Sequence, residues 1–151
     1  MSVRTVVAVV LALALLAATL PALDAARETR SDQQVAADLH RLEVAGEGLL
    51  ATEDATPGPG ARRVVTVRLP ADGWTTREVA WVSVGGVPGE PDAQVLAYRL
   101  AGGPVREVRV GVAFRTPGGR PLVLEGSGEH RLVLTLQPDG EGVCVGRSRD
   151  S

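Results

Sequence analysis

Arg62-Arg63-Val64-Val65-Thr66-Val67-Arg68-Leu69 is the stretch at which the apolar period of this chain changes. Val65, Val67 and Leu69 alternate with Val64, Thr66 and Arg68, the two-residue repeat of a strand with one face against a core. Upstream the repeat is different. Val35, Leu39, Leu42, Gly46 and Leu49 recur every three or four residues, with Asp32, Asp38, Arg41, Glu43 and Glu47 between them. That is the spacing of an amphipathic helix. Residues 52–61, Thr-Glu-Asp-Ala-Thr-Pro-Gly-Pro-Gly-Ala, have linker composition and separate the two regimes.

Working downstream, Val79, Trp81 and Ser83 alternate with Ala80, Val82 and Val84. Further strands are expected at 94–100, 105–114, 122–124, 130–137 and 143–147. Turn signals stand between them: Ala71-Asp72-Gly73, Gly85-Gly86-Val87-Pro88-Gly89, Gly102-Gly103-Pro104, Pro117-Gly118-Gly119 and Asp139-Gly140. About seven short strands with frequent turns and no second helical pattern indicate a small antiparallel sandwich or barrel.

Working upstream, residues 5–23 carry no charge, and 6–18 are unbroken Val, Ala and Leu. As a helix that run covers roughly 28 Å, close to a hydrocarbon core of about 30 Å. Val6, Val10, Leu13, Leu16 and Leu20 are the positions expected to face lipid. Arg4 precedes the run, while Asp24, Arg27, Glu28 and Arg30 follow it. The positive-inside tendency keeps the N-terminus in the cytoplasm and sends residues 24–151 outside. Pro21 removes one backbone bond and is expected to kink the helix near the outer end of the run. The competing reading is a secretory signal cleaved at Leu23-Asp24-Ala25, which exports the same residues.

The expected organisation is therefore a membrane anchor or signal peptide at 1–23, an amphipathic helix at 24–51 and a linker at 52–61. A β-rich extracytoplasmic domain follows at 62–147, with a tail at 148–151. The fold class is mainly β: an N-terminal transmembrane and amphipathic helix followed by a small antiparallel sandwich-like domain. In the amphipathic part, Val35, Leu39, Leu42 and Leu49 form a stripe for packing on the head or on a partner helix.

Length and composition agree with one domain plus an appendage. The chain has 151 residues, 16 Arg without a Lys, no Asn or Ile, and 3% aromatics, so its core must be Val, Leu and Ala. A net charge of −2 excludes a strongly basic nucleic-acid binder. One cysteine excludes a disulfide framework and a Cys-rich zinc site. Residues 24–60 hold eight acids and three Arg, whereas 61–151 hold twelve Arg and ten acids. The plain reading is that exposed strand positions such as Arg68, Arg99, Arg109 and Arg131 are solvated; an acidic stalk beneath a faintly basic head would also favour head-to-stalk stacking in an assembly.

Residues that carry chemistry elsewhere read as structural here. Ser127 lies between Gly126 and Gly128 in a strand-to-strand turn, not on the strand-to-helix elbow a serine hydrolase needs, so its nearness to His130 does not imply catalysis. His40 and His130 lie in different segments without ligand spacing. Cys144 sits between two valines, where a partly buried, inert thiol is expected, the alternative being an intermolecular disulfide. Asp139-Gly140-Glu141 lacks the alternating acids of a calcium loop. No catalytic, cofactor or metal residue is expected, and no nucleic-acid partner. Trp74 and Trp81 are two of four aromatics, either core residues or an outward binding face.

A short positive N-terminus, an apolar helix with a proline near its end, an amphipathic extension and a β-rich head together resemble type IV pilins and pseudopilins. The pilin pattern has a Gly before the apolar run and an early Glu or Gln within it, and Met1–Leu23 has neither. Residues 6–24, Gly60-Ala61-Arg62-Arg63-Val64-Val65-Thr66-Val67 and Gly128-Glu129-His130-Arg131-Leu132-Val133-Leu134-Thr135-Leu136 are similar to uncharacterised haloarchaeal membrane-anchored proteins encoded near type IV pilus-like machinery. The resemblance implies a non-enzymatic, single-pass protein of the cell membrane, an accessory or minor pilin-like component. Its implied partners are membrane lipid, pilus-like assembly proteins, or a second copy through the N-terminal helix. The alternative is a secreted, soluble β-sandwich binding module released by signal cleavage.

Overall fold

The structure, a computed structural model, describes residues 2–52, 61–137 and 140–148. One helix, α1, runs without interruption from Val3 to Thr52, about 75 Å at 1.5 Å per residue. Its start is held by the Ser2 carbonyl, which accepts from Thr5 N–H at 2.9 Å. The helix continues through Pro21, so anchor and amphipathic part are one continuous helix. Most of the expected linker, and the tail beyond Ser148, lie outside the described residues.

Eight strands follow among the described residues: β1 (Arg62–Leu69), β2 (Val79–Val87), β3 (Glu90–Leu100), β4 (Val105–Arg109), β5 (Phe114–Arg115), β6 (Leu122–Glu125), β7 (Gly128–Leu136) and β8 (Val143–Arg147). They form two four-stranded sheets, in the orders β1-β7-β8-β5 and β4-β3-β2-β6. All pairings are antiparallel except β5 with β8, where Phe114 and Arg115 run parallel to Val143 and Cys144. The expected helix-plus-sandwich fold is the one observed.

Three details differ from the alternation read in the sequence. The run 105–114 is two strands in different sheets. β4 ends at Arg109, the chain crosses between the sheets, and β5 resumes at Phe114, with Val110, Val112 and Phe114 all buried along the crossing. Gly85 and Gly86 are not the turn: they lie inside β2 at a register shift between Val84 and Gly86, and the turn is Pro88-Gly89. At Gly86, with φ +121°, a Cβ would stand 2.2 Å from the Glu90 carbonyl oxygen, so only glycine lets the hairpin close. A second register shift between Val79 and Trp81 exchanges the faces of β2. Val79, Val82 and Val84 therefore point into the core, while Trp81 faces outward, half-buried.

The core joins three walls. Val67, Leu69, Leu132, Leu134, Val143 and Val145 come from one sheet, Val82, Val84, Leu96, Leu100 and Leu124 from the other, and Val35, Leu39, Leu42, Ala45 and Leu49 from α1. The helix packs against β1, β7 and β8 on one side and β3 on the other. With a single Phe in the chain, the ring of Phe114 fills the space beside α1. A Cβ at Gly46 would come within 3.0 Å of it, so this glycine in the helix allows a close approach.

Candidate functional site: the junction of helix and head

The apolar half of α1 lies outside the head's core. Val6, Val10, Leu13, Leu16 and Leu20 are each 50–63% exposed, and the most apolar window of the helix is exposed throughout. For an uncharged nineteen-residue run that is unbroken Val, Ala and Leu over 6–18, exposure to water is unfavourable by the area rule of about 25 cal/mol per Å². The helix is long and apolar enough to cross a membrane, and it is equally compatible with an anchor or a signal sequence.

Val35, Leu39, Leu42 and Leu49, the stripe read in the sequence, are at most 2% exposed. They occupy the head's own core rather than a seam for a second helix. The buried line along α1 is longer than that stripe: Ser31, Val35, Asp38, Leu42, Ala45 and Leu49 alternate four and three residues apart. Two of the six are polar, and sequence reasoning had placed Asp38 among the solvated positions. The signal was its register, in step with the leucines.

Those polar positions fasten the helix to unpaired backbone. The Ser31 hydroxyl donates to the Arg77 carbonyl at 2.9 Å and accepts from Arg77 N–H at 2.8 Å, as a strand partner would. Asp38, 2% exposed, accepts from Arg68 N–H at 2.7 Å, closing a donor on the outer edge of β1, and pairs with the Arg41 guanidinium. One further turn along, Glu43 accepts from Gly111 N–H at 3.3 Å. Backbone donors left unpaired away from water are costly, so the part-buried contacts of Ser31 and Asp38 remove a penalty as well as adding a bond, whereas the exposed one at Gly111 only adds a bond.

Beside this line runs a network of side chains. Glu28 faces Arg77 at 3.0 Å and Arg106 at 3.7 Å, and Asp32 faces Arg106 at 3.2 Å. The Tyr98 hydroxyl donates to Asp32 at 2.5 Å. Burial, then the hydrogen bond and negative charge of Asp32, push the Tyr98 phenol up to about 12. The acidic helix and the arginine-bearing head thus pair within one chain.

At the end of the junction nearest the apolar segment, Arg27 reaches Asp24 at 3.3 Å, Asp72 at 2.7 Å and the Thr76 carbonyl at 3.3 Å. Here the β1–β2 loop and α1 enclose a hollow of about 520 Å³, lined by Leu20, Leu23, Asp24, Arg27, Asp72, Gly73 and Trp74. Trp74 is 87% exposed. Trp81 lies elsewhere, on the outer face of its sheet between Arg99 and Glu125. The two tryptophans stand in different settings, one on a bare loop and one half-covered on a strand.

The remaining candidates have structural surroundings. Ser127 occupies the β6–β7 turn, and His130 Nε2 donates to the Gly126 carbonyl at 2.9 Å. His40 is exposed on α1 beside Glu43. Cys144 is a half-buried free thiol opposite Thr135. Among the described residues no group of three His, Cys, Asp or Glu side chains could hold a metal ion. A groove of about 810 Å³ beside β8 includes Arg62, Arg120 and Arg147 in its lining, and the Arg147 guanidinium donates to the Val123 carbonyl.

No curated protein and no solved structure matches the chain. Residues 2–150 match the family model described as a domain of unknown function, DUF7311. The match takes in the apolar helix and the head together. The chain belongs to the DUF7311 family.

Proposed function

We propose that this protein is a single-pass membrane protein whose β-sandwich head stands outside the cytoplasm, a non-enzymatic accessory or minor component of a pilin-like surface assembly. The observation that carries the reading is the division of α1: one helix, bare and apolar over its first half and packed into the head over its second. A lipid bilayer supplies what the bare half lacks. Arg4 before the run orients the N-terminus to the cytoplasm. The pilin-like layout, with helix and head in one piece, supports a role in an assembly of like subunits or with pilus-like machinery. Structural surroundings for Ser127, His130 and Cys144 favour a role without catalysis.

One observation favours a second reading, a secreted binding module. Among the described residues, the hydrogen bonds and ion pairs from α1 to the head come from Arg27 onward, so cleavage after Ala25 would keep them. Cell fractionation with intact-mass measurement separates the two. Full-length chain in the membrane fraction supports the anchor. A chain shortened by about 25 residues and found in the medium overturns it in favour of secretion.

A further inference from the structure

We propose that Trp74 is a lipid-contacting foot of the head, seated in the membrane interface beside the emerging helix. The inference rests on the anchor reading and adds a second point of membrane contact. Among the described residues Trp74 is the most exposed large apolar side chain, at 87%, in a protein whose other tryptophan is half-covered. A large aromatic fully in water on a loop tip is unfavourable without a partner.

Its neighbours identify the partner. The hollow at Trp74 is shared with Leu20 and Leu23, the last turn of the apolar run. A run of roughly 28 Å fills a hydrocarbon core of about 30 Å, which places Leu23 at the boundary between acyl chains and headgroups. The indole beside it is therefore at headgroup depth, where tryptophan is favoured because its ring is apolar and its N–H can still find a polar partner. Among the described residues the one cation of the hollow, Arg27, is already taken up between Asp24 and Asp72, which leaves no basic side chain there for a headgroup phosphate. Contact is thus apolar and independent of lipid charge. With helix and loop joined through Arg27, Trp74 fixes the tilt and rotation of the head on the bilayer.

The test uses the full chain with Trp81→Phe, reconstituted into phosphatidylcholine vesicles and into vesicles whose phosphatidylcholine is brominated near the headgroup end of one acyl chain. Flotation measures insertion separately from fluorescence. Trp74 should lose the larger part of its emission to the bromines, resist aqueous iodide, and behave identically with added salt or anionic lipid. Trp74→Phe in the chain that retains Trp81 should float equally well and lose the bromine-quenched component, which checks the result should Trp81→Phe disturb folding. Co-floating protein whose Trp74 is quenched by iodide and untouched by bromine overturns this inference and leaves the anchor standing. Quenching that appears only with anionic lipid also overturns it. Failure to float removes the anchor reading itself.

Discussion

The two halves of α1 draw their apolar residues from the same three types, Ala, Val and Leu, at 19 of 24 positions in Val3–Ala26 and 10 of 26 in Arg27–Thr52, and they meet opposite surroundings. From Val3 to Ala26 every described side chain is exposed, because apolar residues occupy all sides and no polar face directs the helix onto protein. From Arg27 onward acids and arginines confine the apolar residues to one side, and that side is buried against the sheets. Periodicity and hydrophobic content together decide which half becomes core and which is left to another solvent: the more apolar half has no polar face, and the less apolar half concentrates its Val and Leu on one side.

The sharpest way to break this contrast is the same double change in each half. Leu39→Arg with Leu42→Arg places two charges where exposure is at most 1%, a penalty comparable with the roughly 5–15 kcal/mol that holds a domain together. The head should lose cooperative unfolding and become protease-sensitive. Leu13→Arg with Leu16→Arg should leave head unfolding unchanged and weaken insertion, at about 2.5–3.5 kcal/mol per Arg in mid-bilayer. Thermal melts and flotation of both variants read the two effects separately.

Single truncations sharpen it. Leu42→Ala should cost about 2–5 kcal/mol in denaturant unfolding, while Leu16→Ala should change head stability by less than about 0.5 kcal/mol. Next in size, Asp38→Ala strands Arg68 N–H on the edge of β1 and should cost about 1–3 kcal/mol. Asp38→Asn, which keeps an acceptor, should recover part of that loss.

The smallest effect is the pH response of Tyr98. Its phenol is raised from 10.0 to about 12 by burial and by Asp32, so the folded chain holds this proton more tightly than the unfolded one. The contribution is fully present below pH 10.0 and is lost as pH rises through about 12. Tyr98→Phe should flatten that alkaline decline when unfolding is followed against pH.

Element types were legible in the sequence where the repeat was long. The α1 stripe and the alternation of Val65, Val67 and Leu69 each correspond to an observed helix or strand. What escaped was set by contacts distant along the chain. Nothing local separates residues 105–109 from 114–115, because both alternate alike and only the sheet each one joins distinguishes them. Gly85-Gly86 reads as a turn until Glu90 is known to close against it. Asp38 looked solvated because its partner, the edge of β1, is thirty residues away. At the junction, exposure of Trp74 and its approach to Leu23 depend on how the β1–β2 loop folds back along α1, which composition does not encode.

The helix that joins core to apolar segment also has a mechanical consequence. α1 is one continuous helix from Val3 to Thr52, with Pro21 inside it, so a tension pulling the head away from its N-terminus passes along a helix rather than through a loose tether. It loads the interface between α1 and the sheets in shear, sliding Val35, Leu39 and Leu42 past β1 while Ser31, Asp38 and Glu43 resist as cross-links. A subunit built this way yields under force by unfolding rather than by swivelling, and its breaking load is set by the depth of its own core.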